Sequence, residues 1–182
     1  MGALDHARHL LLEVGNIGKR GVAPYHRVHE HIVRALCDED PLSRLVLLEQ
    51  AVTMADQRSL GAFASYARAL RAETLVQLND ERAIPSINEA LFHHARLQGS
   101  EYALDVTTLG GTILRKVGHP LAVDAVRAGV RCIEETLRTT THVALKSSFL
   151  KTPLVGRALA LAADSFVEVR SIDGRDMDTL GA

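Results

Sequence analysis

The stretch Arg82-Ala83-Ile84-Pro85-Ser86-Ile87-Asn88-Glu89-Ala90-Leu91 decides how the chain reads. Ala83, Ile84, Ile87, Ala90 and Leu91 fall at the i, i+3, i+4, i+7 spacing that lines one face of a helix. Ala83 and Ala90 stand two turns apart, and small residues on such a stripe let a second helix approach closely. The stretch has copies. Thirty-nine positions on from Ala83, Ile87, Ala90 and Leu91 stand Ala122, Val126, Gly129 and Val130. Thirty-nine positions back from Ile87, Ala90 and Leu91 stand Leu48, Ala51 and Val52, and only Arg44, in the place of Ala83, breaks the echo. A period this long, with helical spacing inside it, predicts stacked helical hairpins.

Outward from that stretch, the same offset links a second set of helices. Phe63 answers Tyr102, Ala64 answers Ala103, Leu70 answers Leu109, Leu75 answers Leu114 and Leu78 answers Val117. The unit is therefore a pair, helix A then helix B. Helix A is expected at about 24–37, 59–79, 100–117 and 141–150, and helix B at about 3–14, 41–57, 81–97 and 120–137. Leu4-Asp5-His6-Ala7-Arg8-His9-Leu10-Leu11-Leu12-Glu13-Val14 reads as the first of these. Asp40-Pro41 reads as a cap followed by a first helical residue, and Gly110-Gly111 as a weak point that only close packing would justify. The fold class is all-α: a right-handed superhelical array of antiparallel helix hairpins, about eight helices, over residues 1–170. Residues 171–182, rich in Asp and Gly, read as a disordered tail. A helix B at 3–14 with no helix A before it leaves one apolar side uncovered, so either the chain is cut from a longer array or something else caps that face, a homodimer through the first helix being the expectation for the chain alone.

Composition agrees with close-packed helices. Hydrophobic residues make up 47% of the chain but aromatics only 4%, with no Trp, so the core is Leu, Ala and Val. The net charge of −1 gives no basic field for a phosphate backbone, which argues against direct nucleic-acid binding. No apolar run is long enough to span a bilayer, and no secretory signal is visible near Asp5, His6 and His9. Cys37 and Cys132, far apart in apolar surroundings, read as reduced thiols of a cytoplasmic protein.

Leu78-Asn79-Asp80-Glu81-Arg82-Ala83-Ile84, followed by Ala90-Leu91, resembles the tetratricopeptide pattern: a turn, then a small residue opening helix B, and a second small residue seven on. Met1-Gly2-Ala3-Leu4-Asp5-His6-Ala7-Arg8 and Val117-Gly118-His119-Pro120-Leu121-Ala122 look like the same junction. The period departs from the family's usual one, and the aromatic early in helix A is missing. A longer, degenerate repeat of this kind is similar to the helical arrays of large bacterial signalling proteins, the regulators and cyclases built on STAND-type ATPases. Ser148-Phe149-Leu150-Lys151-Thr152-Pro153-Leu154 looks like the segment that closes such arrays. The resemblance implies a sensor or docking surface rather than a catalyst. It also implies a concave groove holding a protein, a peptide or a small inducer.

For that groove, Tyr66, Arg68 and Arg71 on one helix and Arg115 and Lys116 on another are the candidate lining. Arginine grips carboxylates in forked geometry, so an acidic peptide suits them. A competing reading is a metal site. His26, His29 and Glu30 share a helix face, and His6 and His9 on the neighbouring helix would complete a zinc or iron site. No catalytic set and no cofactor motif is legible. A Gly-x-x-x-x-Gly-Lys-Ser/Thr loop is missing, and Ser147, Ser148 and Ser165 lack a nucleophile setting.

Overall fold

A computed structural model describes residues 24–97 and 101–177, with side chains described through residue 165. Among the described residues the protein is all-helical, with eight helices and no strands. They are α1 (Pro24–Cys37), α2 (Pro41–Gln57), α3 (Gly61–Gln77), α4 (Ala83–His94), α5 (Ala103–Lys116), α6 (Ala122–Thr139), α7 (Val143–Leu150) and α8 (Pro153–Met177). The expected helix at 3–14 lies outside the described residues, as do residues 178–182; the side chains of the rest of the Asp- and Gly-rich end do too. The chain divides into two compact units between Tyr102 and Ala103.

In the first unit each helix packs on the next: α1 on α2, α2 on α3, α3 on α4. Asp40 caps α2 by accepting from the Ser43 N–H at 2.9 Å, and Pro41 holds the first helical position, where its missing N–H costs nothing. Packing between two neighbours buries α3 nearly all round: Ala64, Ala67, Ala69, Ala72 and Leu75 are all inside. Leu45 of α2, Leu75 of α3 and Ala83 of α4 share one cluster. Arg44, the residue that breaks the echo, has a different task. Its guanidinium donates to the Asp38 carbonyl at the end of α1 (2.6 Å) and to Gln77 of α3 (3.4 Å). A cation at a helix C-terminus complements the exposed carbonyls there.

In the second unit α5 and α6 pack as a hairpin, and α8 lies against both. Leu104, Ile133, Val155 and Ala158 form its core, with Cys132, Leu137, Phe149 and Leu154 against them. Gly111 explains the weak point within α5. A Cβ there would stand 2.8 Å from Leu161 of α8 and 2.8 Å from Val126 of α6, so the absent side chain sets how closely three helices meet.

Some echoed positions share their burial and others do not: Ala64, Leu70 and Val52 are buried where Ala103, Leu109 and Leu91 are only partly so. Leu48, Ile87 and Val126 are buried, and so are Ala51, Ala90 and Gly129. The helix junctions also agree bond for bond. Asn79 (φ 54°) and Gly118 (φ 64°) both take the left-handed conformation that ends a helix. The Asp80 N–H donates to the Leu75 carbonyl and the His119 N–H to the Leu114 carbonyl, each at 2.9 Å. Asp80 then accepts from the Arg82 N–H (2.9 Å), and His119 Nδ1 from the Leu121 N–H (3.2 Å).

Candidate interaction surface

Arg68 sits in the middle of α3, buried to 7% exposure, so its charge needs partners. Asp56 of α2 accepts both ends of its fork, at 3.1 and 2.7 Å. Glu89 of α4 lies 3.0 Å from Nε, but off the N–H direction, so that attraction is Coulombic rather than a hydrogen bond. Arg71, one turn on, donates from Nε to Ser86 Oγ (3.0 Å) and lies 3.6 Å from Glu89. Ser86 in turn donates to the Arg68 carbonyl at 3.1 Å. His93 stands 3.9 Å from Glu89. Two arginines and two carboxylates thus brace three helices, and their charges cancel.

The expected groove residues are therefore divided. Arg68 and Arg71 face neighbouring helices and are engaged there. Tyr66 stacks on Tyr102 with ring centroids 4.5 Å apart and planes 6° from parallel, and Phe63 meets the same ring edge-on at 5.3 Å. Arg115 lies 3.3 Å from Asp164 of α8, and Lys116 is exposed in the last turn of α5. The first three belong to one unit and the last two to the other.

The residues of the metal reading also have other neighbours. Glu30 pairs with Arg34 at 2.6 Å, the His29 ring meets Phe63 edge-on, and His26 lies against Tyr25. His6 and His9 lie outside the described residues. Among the described residues no group of three His, Cys, Asp or Glu side chains is placed to hold a metal ion.

Two surface features escaped the sequence reading. An open cavity of about 440 Å³ lies between α1 and α2, lined by His31, Val46, Glu49, Gln50, Thr53 and Met54. The second is α7, of which no residue is buried: Val143 is 79% exposed and Leu145 62%. Its apolar composition was legible in Val143-Ala144-Leu145, but composition alone assigns such a run to a core.

Burial perturbs three titratable groups. It pushes His94, whose Nδ1 has no hydrogen-bond partner, below the usual imidazole range. It pushes Asp105 upward, partly offset by a backbone hydrogen bond and by Arg157. It pushes the Cys132 thiol up as well, the reverse of what an activated thiolate needs. No family model, no curated protein and no solved structure matches the chain. Among the described residues, no helix is long and apolar enough to cross a membrane.

Proposed function

We propose that the chain is a non-catalytic, partner-binding helical module, built from tetratricopeptide-like hairpins of the kind found in bacterial signalling regulators. The observation that carries the binding reading is α7, an apolar helix with every residue at least partly open to solvent. Exposed apolar surface of this kind marks interaction sites more often than isolated exposed side chains do. The burial that some echoed positions share and the echoed junctions support the hairpin reading. A non-catalytic role fits the ionic groups of the first unit, which brace helices instead of converging on an open cleft.

Partner contact is expected through Val143, Leu145 and Leu150 of the second unit. The test is a photo-crosslinking residue placed at Leu145, in cells of the native host. A specific adduct that disappears in Val143→Asp/Leu145→Asp, with the melting temperature unchanged, supports the proposal. An adduct pattern the same in both chains, or turnover of a small molecule by the purified protein, overturns it.

A further inference from the structure

The net charge of −1 hides an uneven distribution. The chain carries 22 Asp and Glu residues, yet none falls between Thr136 and Ala163. Four cations do: Arg138, Lys146, Lys151 and Arg157. Helix α7 lies in the middle of this acid-free stretch. Arg138 is matched from just outside it, by Glu135 at 2.6 Å. Among the described residues no carboxylate pairs with Lys146 or Lys151. Arg68 and Arg71, the cations the sequence offers to an acidic partner, are neutralised by Asp56 and Glu89, whereas the two lysines of α7 are not.

Within α7, Val143, Lys146 and Leu150 fall at i, i+3 and i+7, so they share one face. Val143 and Leu150 are exposed, with half-buried Lys146 between them. Phe149, off that face, packs against the core of the second unit and pins the helix to it. A lysine in the middle of an exposed apolar face decides what fits there. A helix lying in a membrane surface keeps its cations on the side away from its apolar face, and α7 mixes the two. A second copy meeting this face about a two-fold axis brings the same surface against itself, and with it like charges, which oppose contact. A carboxylate flanked by apolar side chains matches both the lysines and their neighbours. We propose that α7, with Lys146 and Lys151, docks an acidic segment of a partner protein. Its carboxylates meet the two lysines, and apolar side chains beside them cover Val143 and Leu150. The proposal rests on the partner-binding reading and names the chemistry of the partner.

The test uses the full chain with the photo-crosslinking residue at Leu145, in cells of the native host. Lys146→Glu/Lys151→Glu is expected to lower the adduct yield about tenfold. Lys146→Gln/Lys151→Gln should lower it less, and Lys146→Arg/Lys151→Arg should retain it. Each melting temperature should stay within about 2 °C of the parent's, as solvent-facing positions give. The stretch of the partner mapped at the crosslink should carry a net negative charge. A loss under about threefold in the Glu pair, or in the Gln pair should charge reversal unfold the chain, overturns the proposal and leaves the partner-binding reading standing. A neutral or basic partner stretch does the same. An adduct to a second copy of this chain also overturns it, as does lysine-dependent cosedimentation of the full chain with phosphatidylcholine vesicles containing phosphatidylglycerol. No adduct in the parent chain overturns both readings.

Discussion

Arg68 shows how much a single residue's role depends on what other helices bring to it. Read along the chain, Arg68 and Arg71 are a cationic pair on an amphipathic helix, indistinguishable from groove ligands. Their partners, Asp56, Ser86 and Glu89, come from α2 and α4 and lie 12 to 21 residues away in sequence. No local spacing reveals them. The consequence is energetic. Removing one member of a buried ion pair costs about 3–5 kcal/mol, because the remaining charge stays desolvated. Asp56 and Glu89 keep nearly half their side-chain exposure, which screens the interaction. Arg68→Ala is therefore expected to cost on the order of 2–4 kcal/mol in urea unfolding. Lys116→Ala, at an exposed position, should fall within about 0.5 kcal/mol of the parent chain. Equal small effects for both would mean that Arg68 is no brace.

At the scale of the element, the sequence was most legible where backbone and core constraints coincide. The small-residue stripe, the Asp40-Pro41 start and the helix stops at Asn79 and Gly118 all follow from rules that act within a few residues. Glycine at 111 is different: the local rule marks it only as a weakness, and its reason lies on two other helices. Alanine there gains about 1 kcal/mol of helix propensity, but its Cβ meets Val126, whose branched side chain has one comfortable rotamer in a helix. Overpacking of this kind costs about 1–3 kcal/mol, so Gly111→Ala is expected to destabilise by about 1 kcal/mol. Gly156 on α8 has open space around it, and Gly156→Ala should gain a few tenths to about 1 kcal/mol. Opposite signs in denaturant midpoints confirm that helix contact, not glycine content, decides. Helix α7 was legible in extent but not in environment, because apolar residues at helical spacing look the same whether a neighbour covers them or not.

Across the whole molecule, the two units carry opposite acid sensitivities. His94, in the first unit, has its proton affinity lowered by burial, from an ordinary value of 6.5. Its folded form therefore binds fewer protons than its unfolded form. Stability is full above that value and falls as pH drops below it. Asp105, in the second unit, has its proton affinity raised from 3.8. Its folded form binds more protons, so burial costs stability at neutral pH, and that cost shrinks as pH falls toward the unfolded value. The chain supplies its own reporter for separating the two. It has no Trp, and its three tyrosines, Tyr25, Tyr66 and Tyr102, all lie in the first unit. Tyrosine fluorescence thus follows the first unit, while far-UV circular dichroism follows the helices of both. Between about pH 7.5 and 5.5, the tyrosine-detected unfolding midpoint is expected to fall further than the dichroism midpoint. His94→Met, which fills the site without a titrating ring, should flatten the tyrosine-detected slope, and Asp105→Asn should raise neutral-pH stability without touching that slope. If both probes shift together in the native chain and His94→Met leaves the slope intact, the buried imidazole is not the group that senses acid.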